Sequence, residues 1–329
     1  MDPSDPSHRS VVDRMRAGLR GADAIARRVY RHVRVLDDVV ANQATLARRL
    51  ALAEQDGFGR PCACDPLSSR TCAQSDCGSE YAAWLDRLGL DGVISRKYWE
   101  YTAIGRALEA AGMLTDGRRG LGFGVGREPL VAAFAAAGCS ILATDLDARD
   151  PRAAGWAGTN QHGLSLAGLA PDDRVCPPER LAVQVELRAV DMARIPDDLT
   201  GFDFCWSSCA LEHLGSLEAG MDFIRHAMRC LRPGGLAVHT TEFNLDSDDD
   251  TISSGETVVY RRRDFAALAA DLARAGHELA PFQVPAPTGV LDSFIDVPPF
   301  QYAALILRFG GYRVTSAVLV ARAGPVEGD

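Results

Sequence analysis

No run of roughly 18 or more apolar residues occurs in the 329-residue chain, which excludes a membrane-spanning helix of ordinary length. The opening residues, Met1 to Ser7, are acidic and proline-bearing with no apolar signal region, so export is not expected and the cytoplasm is the predicted location. An excess of positive charge is also missing. The net charge is −9, which argues against a nucleic-acid protein. Lysine is nearly absent, Lys97 being the only one among 35 basic residues; with abundant alanine and glycine, this skew reflects genomic base composition rather than chemistry. The nine cysteines include no pair of C-x-x-C knuckles. Without an export signal they point to reduced thiols or a metal, not to a disulfide framework.

What is present is enough apolar residue, 47%, for a large core: one large domain with appendages, or two small ones. Met15, Leu19, Ala22, Ala26, Val29, Val33, Leu36 and Val40 recur at alternating spacings of three and four, a long-helix or helical-hairpin pattern over residues 1–56. Such a helix either mediates a homodimer or folds back on the main domain; Gly18, Gly21 and the alanines weaken the coiled-coil case. Its eight arginines between Arg9 and Arg34, against Asp13 and Asp23, read as a solvated face. A turn-rich segment with Cys62, Cys64, Cys72 and Cys77 follows within residues 57–95; its spacing supports a metal only weakly, and no metal is expected. Residues from about Tyr81 to Met113 read as helical, with Tyr98, Tyr101, Ile104 and Leu108 on one face.

From there the pattern alternates. A strand near Gly120–Gly124 breaks into the glycine loop Gly122-Phe123-Gly124-Val125-Gly126, followed by a helix over 130–137 and a strand over 141–144 that ends on Asp145. Glycines let the backbone lie against a ligand, and an acid 23 positions after Gly122 is where a nucleotide-type fold meets ribose hydroxyls, so an adenosyl cofactor is expected. Strands over 187–190, 202–207 and 236–241, with a helix over 216–231, continue the succession, and strands over 302–307 and 314–320 read as a closing hairpin. The predicted fold is α/β: a Rossmann-like, mostly parallel, seven-stranded sheet with a C-terminal antiparallel hairpin and an N-terminal helical extension.

This order resembles the class I S-adenosylmethionine-dependent methyltransferases over about Arg96 to Ala323, within a predicted domain of residues 96–329. The resemblance implies that Gly122, Gly124 and Gly126 wrap the methionine part of S-adenosyl-L-methionine, that Asp145 holds the ribose, and that Asp191 and Met192 clasp the adenine. Ser207, on the fourth parallel strand, and Lys97 are further cofactor candidates. Leu211-Glu212-His213 is similar to a sequence of quinone-modifying members, and Leu231-Arg232-Pro233-Gly234-Gly235 to the family's lead-in to strand five. One departure stands out: the family places Asp or Glu where this chain has Gly120, leaving Glu128, Lys97 or Glu100 to organise that end of the pocket. Dinucleotide oxidoreductases compete, but their third glycine falls one residue later than Gly126.

Methyl transfer needs alignment of the acceptor and, for a hydroxyl, a base. His213, His239 and Glu242, at the carboxyl ends of strands four and five, are the catalytic candidates; a divalent ion on His239, Glu242 and Asn244 has little support in their spacing. Residues 244–300, with the acidic run Asp246 to Asp250 and Arg261 to Arg263, are expected to form a substrate-binding insertion. The expected activity is O-methylation of a small molecule or glycan precursor in a biosynthetic pathway, without nucleic-acid or membrane partners. The alternatives are a nitrogen or protein acceptor, and a cofactor-binding scaffold without transferase activity.

Overall fold

A strand buried along its whole length belongs in the middle of a sheet covered on both faces, and Phe202–Ser208 is such a strand, with all seven residues buried. The computed structural model describes residues 25–26, 30, 35–36, 38–54, 56–153, 165–169, 173–298, 300 and 304–325. The chain divides into two units, residues 1–46 and 47–329. In the first, the described residues are helical; Ala26, Leu36 and Val40 of the expected stripe are among them, whereas Met15, Leu19, Ala22, Val29 and Val33 lie outside the described residues. No described helix is long and apolar enough to cross a membrane.

The second unit is built on one sheet. Its strands are β1 (Ser69–Thr71), β2 (Arg119–Gly122), β3 (Ser140–Asp145), β4 (Val185–Ala189), β5 (Phe202–Ser208), β6 (Leu231–Asn244), β7 (Glu278–Leu279), β8 (Phe282–Gln283), β9 (Ile295–Asp296), β10 (Ile306–Phe309) and β11 (Tyr312–Arg322). The order is β4-β3-β2-β5-β6-β11-β1-β8. The first five are mutually parallel, and β11 runs antiparallel to β6 over nine paired positions. The closing hairpin is present as β10 and β11, joined through Gly310 and Gly311, both at positive φ as a tight two-residue turn requires.

The helices that flank the sheet are α1 (Ser79–Arg87), α2 (Arg96–Ala110), α3 (Leu130–Ala136), α4 (Pro178–Gln184), α5 (Leu217–Ala227) and α6 (Arg262–Arg274). Alternation along the strands splits the core into two. Phe204, Trp206, Val238 and Val318 pack with α1 to α4, while Leu121, Cys205, Ala237 and Leu319 pack with α5 and α6.

Two local expectations are corrected. The helical stretch from Tyr81 to Met113 is two helices, because Gly89 takes φ +64° after α1 and Ser95 caps α2, its side chain accepting from Tyr98 N at 3.1 Å. The cysteine segment is not only loop. It supplies β1, whose Arg70 and Thr71 pair with Val318 and Ala317 of β11.

Candidate active site

The loop leaving β2 is shaped by what its glycines lack. Gly124 sits at φ +57°, and a Cβ there would lie 3.1 Å from both the Met192 sulfur and the Ala210 methyl. Gly126, at φ +50°, donates its N–H to Asp145 Oδ2 at 3.2 Å, and Leu146 N donates to Asp145 Oδ1 at 2.8 Å. The β3 carboxylate is thereby tied to the loop, at the carboxyl end of the sheet where ligands of open α/β sheets bind. Asp191, just after β4, accepts from Ala193 N at 2.9 Å and from Arg152 Nη2 at 2.9 Å. Gly124, Gly126, Asp145, Asp191 and Met192 are thus gathered at one place. A glycine cradle with a carboxylate at the end of each of the two neighbouring strands fits an adenosyl group.

Beneath this loop lies a polar cluster that no local motif announces. Lys97 Nζ donates to Glu100 Oε2 at 3.0 Å and to Ser208 Oγ at 3.3 Å. Arg96 Nη1 reaches Glu242 Oε1 at 2.5 Å, Ser316 Oγ at 2.9 Å and Glu100 Oε1 at 3.3 Å. Glu100 is fully buried; burial alone would raise its pKa, but Lys97 and Arg96 hold it below its usual value. The Lys97 side chain is 46% exposed, and Glu100 outweighs its desolvation and keeps it charged. The one signal available in sequence was a charged pair at i, i+4 on a helix whose other faces, Trp99, Ile104 and Leu108, are apolar.

Two further carboxylates are pushed the other way. Burial raises Glu128 to about 8, against the Trp206 indole, which donates to its Oε1 at 2.5 Å, and against Lys97. Burial raises Glu242 to about 7, with Arg96 opposing and Glu212 and Glu100 adding to the rise. Glu242 Oε2 is buried and has no hydrogen-bond partner among the described residues.

The two candidate histidines differ sharply. His239 lies inside the sheet, its Nδ1 2.8 Å from Ser207 Oγ and its ring edge-on to Phe223, and burial lowers its pKa to about 3. Ser207 is engaged on that face, while Ser208 faces Lys97 and Glu100. His213 sits in the short turn after β5; its Nδ1 lies 2.7 Å from Glu256 O, and since a carbonyl only accepts, that nitrogen carries the proton. Cys209 takes φ +45° just after β5, and its sulfur and one carboxylate oxygen each of Glu212 and Glu242 lie within 4.8 Å of one another. Among the described residues this is the only such grouping of possible metal-ligating side chains. Cys62, Cys64, Cys72 and Cys77 do not form one. Cys62 Sγ donates to Asp76 O, and Cys64 Sγ accepts from Arg70 and Arg106. Asn244 organises the following loop, accepting from Asp246 N and Ser247 N. The acidic run is spent on arginines, Asp246 with Arg313 and Asp249 with Arg263.

Residues 121–239 match the family model described as a methyltransferase domain. No curated protein matches the chain by sequence. Among solved structures, a candidate sarcosine dimethylglycine methyltransferase from Galdieria sulphuraria is 16% identical, with 68% of this chain and 84% of that one covered and a TM-score of 0.45. Magnesium protoporphyrin IX methyltransferase from Synechocystis PCC 6803, with bound SAH, is 14% identical over 75% and 95%, at 0.39. The CcbJ methyltransferase from Streptomyces caelestis is 16% identical over 66% and 88%, at 0.37.

Proposed function

We propose that the chain, whose residues 121–239 match a family model described as a methyltransferase domain, is a class I S-adenosylmethionine-dependent methyltransferase that methylates a hydroxyl oxygen of a small molecule or glycan precursor, with Glu242 as the base. The bound cofactor supplies an electrophilic methyl on a sulfonium, so the protein's remaining tasks are to align the acceptor and take its proton. The supporting observation is Glu242 itself. Arg96 holds one of its oxygens, the other has no partner among the described residues, and burial raises it to about 7, where a carboxyl group exchanges protons at neutral pH. His239 is the weaker base in this reading, because its buried ring takes up a second proton only below about pH 3. We assign it instead to fixing Ser207 and the β5–β6 pairing. His213, with Nδ1 protonated, is left to orient the acceptor or its leaving proton. Residues 244–300 begin two positions after Glu242 and would form the acceptor's cover.

An amine acceptor can lose its proton to solvent before it attacks with its own lone pair and so depends less on a positioned base, and one variant separates the readings. Glu242→Gln is expected to lower kcat on hydroxyl acceptors by about 10²- to 10⁴-fold while S-adenosylhomocysteine affinity stays unchanged. The native pH–rate profile should rise through about pH 7 as the carboxylate ionises. The acceptors to screen are monosaccharides, phenols and primary amines, with S-adenosylhomocysteine release as the readout. Full turnover by Glu242→Gln, or transfer to amines alone, would overturn the assignment to oxygen.

A further inference from the structure

Position 120 cannot hold the acid that the family places there. A Cβ on Gly120 would lie 2.4 Å from the Phe204 ring and 2.8 Å from Ile141 Cδ1, so the volume of that side chain is already filled by two core residues. The same aromatic layer continues under the loop. Trp206, stacked on Phe204 at 5.9 Å, packs where a Cβ of Gly122 would be, 2.5 Å away. The polar edge of that indole does not end in the core. Its Nε1 holds the carboxylate of Glu128, two residues beyond the last loop glycine.

Glu128 is 5% exposed, and among the described residues Trp206 is the one hydrogen-bond donor to its carboxylate. The charged groups around it are Lys97 and Glu100 from α2 and Asp145 from the end of β3, with Tyr101 of α2 beside them. Lys97 is committed to Glu100, and Arg96 to Glu100 and Glu242. The surroundings of Glu128 therefore hold more carboxylates than cations, and a buried carboxylate in that setting is stabilised by a cation that arrives with a ligand.

We propose that Glu128 does the work of the missing acid at position 120 and receives the cofactor's methionine ammonium group. The indole of Trp206 positions the carboxylate, so aromatic packing at 204 and 206 and an acid at 128 form one substitution for the family's usual arrangement. This assignment rests on S-adenosylmethionine being the cofactor. Binding converts Glu128 from a mostly protonated carboxyl group to a carboxylate paired with the ammonium, and its proton leaves to solvent.

Calorimetry with two ligands tests it: S-adenosylhomocysteine, and 5′-methylthioadenosine, which shares the adenosyl thioether but has no amino acid. Glu128→Gln keeps the shape and an acceptor for Trp206. It is expected to bind S-adenosylhomocysteine about 10- to 100-fold more weakly than the native chain while its affinity for 5′-methylthioadenosine changes less than about two-fold. At pH 7, titrations in buffers of different ionisation enthalpy should show the native chain releasing close to one proton per S-adenosylhomocysteine and none with 5′-methylthioadenosine. An unchanged preference in Glu128→Gln, equal weakening of both ligands, or no proton release would overturn the role of Glu128. Binding of neither ligand by the native chain would instead remove the cofactor assignment, and this one with it.

Discussion

At the scale of single residues, the first strand of the parallel sheet is governed by its two glycines. Gly120 and Gly122 pair with Phe204 and Trp206 and leave those rings the space above the strand. Returning the family's acid by Gly120→Asp should therefore not strengthen cofactor binding. It should destabilise the fold, and Gly120→Ala alone is expected to cost about 1–3 kcal/mol through overpacking. Urea denaturation of Gly120→Ala measures this, and a midpoint equal to that of the native chain would refute it. The sequence exposes Gly120 as a departure, since the motif is local, but not its cause. The residues that fill its space are on another strand, 84 positions away for Phe204, and alternation gives the face of a strand without giving its register. The loop glycines, Asp145, Asp191 and Met192 are legible for the converse reason: short motifs bring them to one place. His239 shows the limit of reading chemistry from residue type, because a histidine's competence as a base depends on burial that no motif encodes.

At the scale of elements, the outer edge of β11 is covered in three pieces. β10 pairs with Tyr312 to Thr315, β1 with Ala317 and Val318, and β7 with Ala321 and Arg322. Patterning reveals β10 as half of a hairpin. A three-residue strand inside a cysteine-rich loop is too short to carry a period, so β1 was not legible. It is fastened by a buried ion pair. Asp76 Oδ2 accepts from Arg70 Nε at 3.1 Å and from Trp99 Nε1 at 2.9 Å, with Arg70 only 3% and Asp76 1% exposed. Removing one partner strands the other charge in the core, so Asp76→Ala is expected to destabilise by about 3–5 kcal/mol. Replacing both, Arg70→Met with Asp76→Leu, should recover most of that loss, because the cost lies in the unpaired guanidinium rather than in a missing attraction. Chemical denaturation of the single and double variants decides the matter. If the double variant is as unstable as the single, the stranded charge is not the cause.

At the scale of the whole molecule, the polar cluster under the loop sets how stability depends on pH. Glu128, at about 8, and Glu242, at about 7, are held above the ordinary carboxyl value, so folding favours their protonated forms. That contribution is complete below about pH 4.3, the unfolded value, and is lost progressively as pH rises from there to about 7 for Glu242 and about 8 for Glu128. His239 acts in the opposite sense. At about 3 it is held neutral by burial, a contribution complete above about pH 6.5 and lost as pH falls toward 3. Glu100 and Asp203, lowered by their cationic and backbone partners against the effect of burial, add to the acid-side loss. Between about pH 4.3 and 6.5 the two carboxyl groups outweigh the one histidine, so the melting temperature is expected to peak near about pH 4 to 5 and to fall on both sides. Glu128→Gln and Glu242→Gln, neutral at every pH, should flatten the fall above about pH 4.3 and leave the acid limb below it alone, while His239→Asn should change the profile only between about pH 3 and 6.5. Thermal scans from about pH 2.5 to 9 on the native chain and these three variants test the assignment. An alkaline limb that persists in Glu128→Gln and Glu242→Gln combined would mean that neither carboxyl group is protonated in the folded protein, and would remove the basis for Glu242 as a base poised near neutrality.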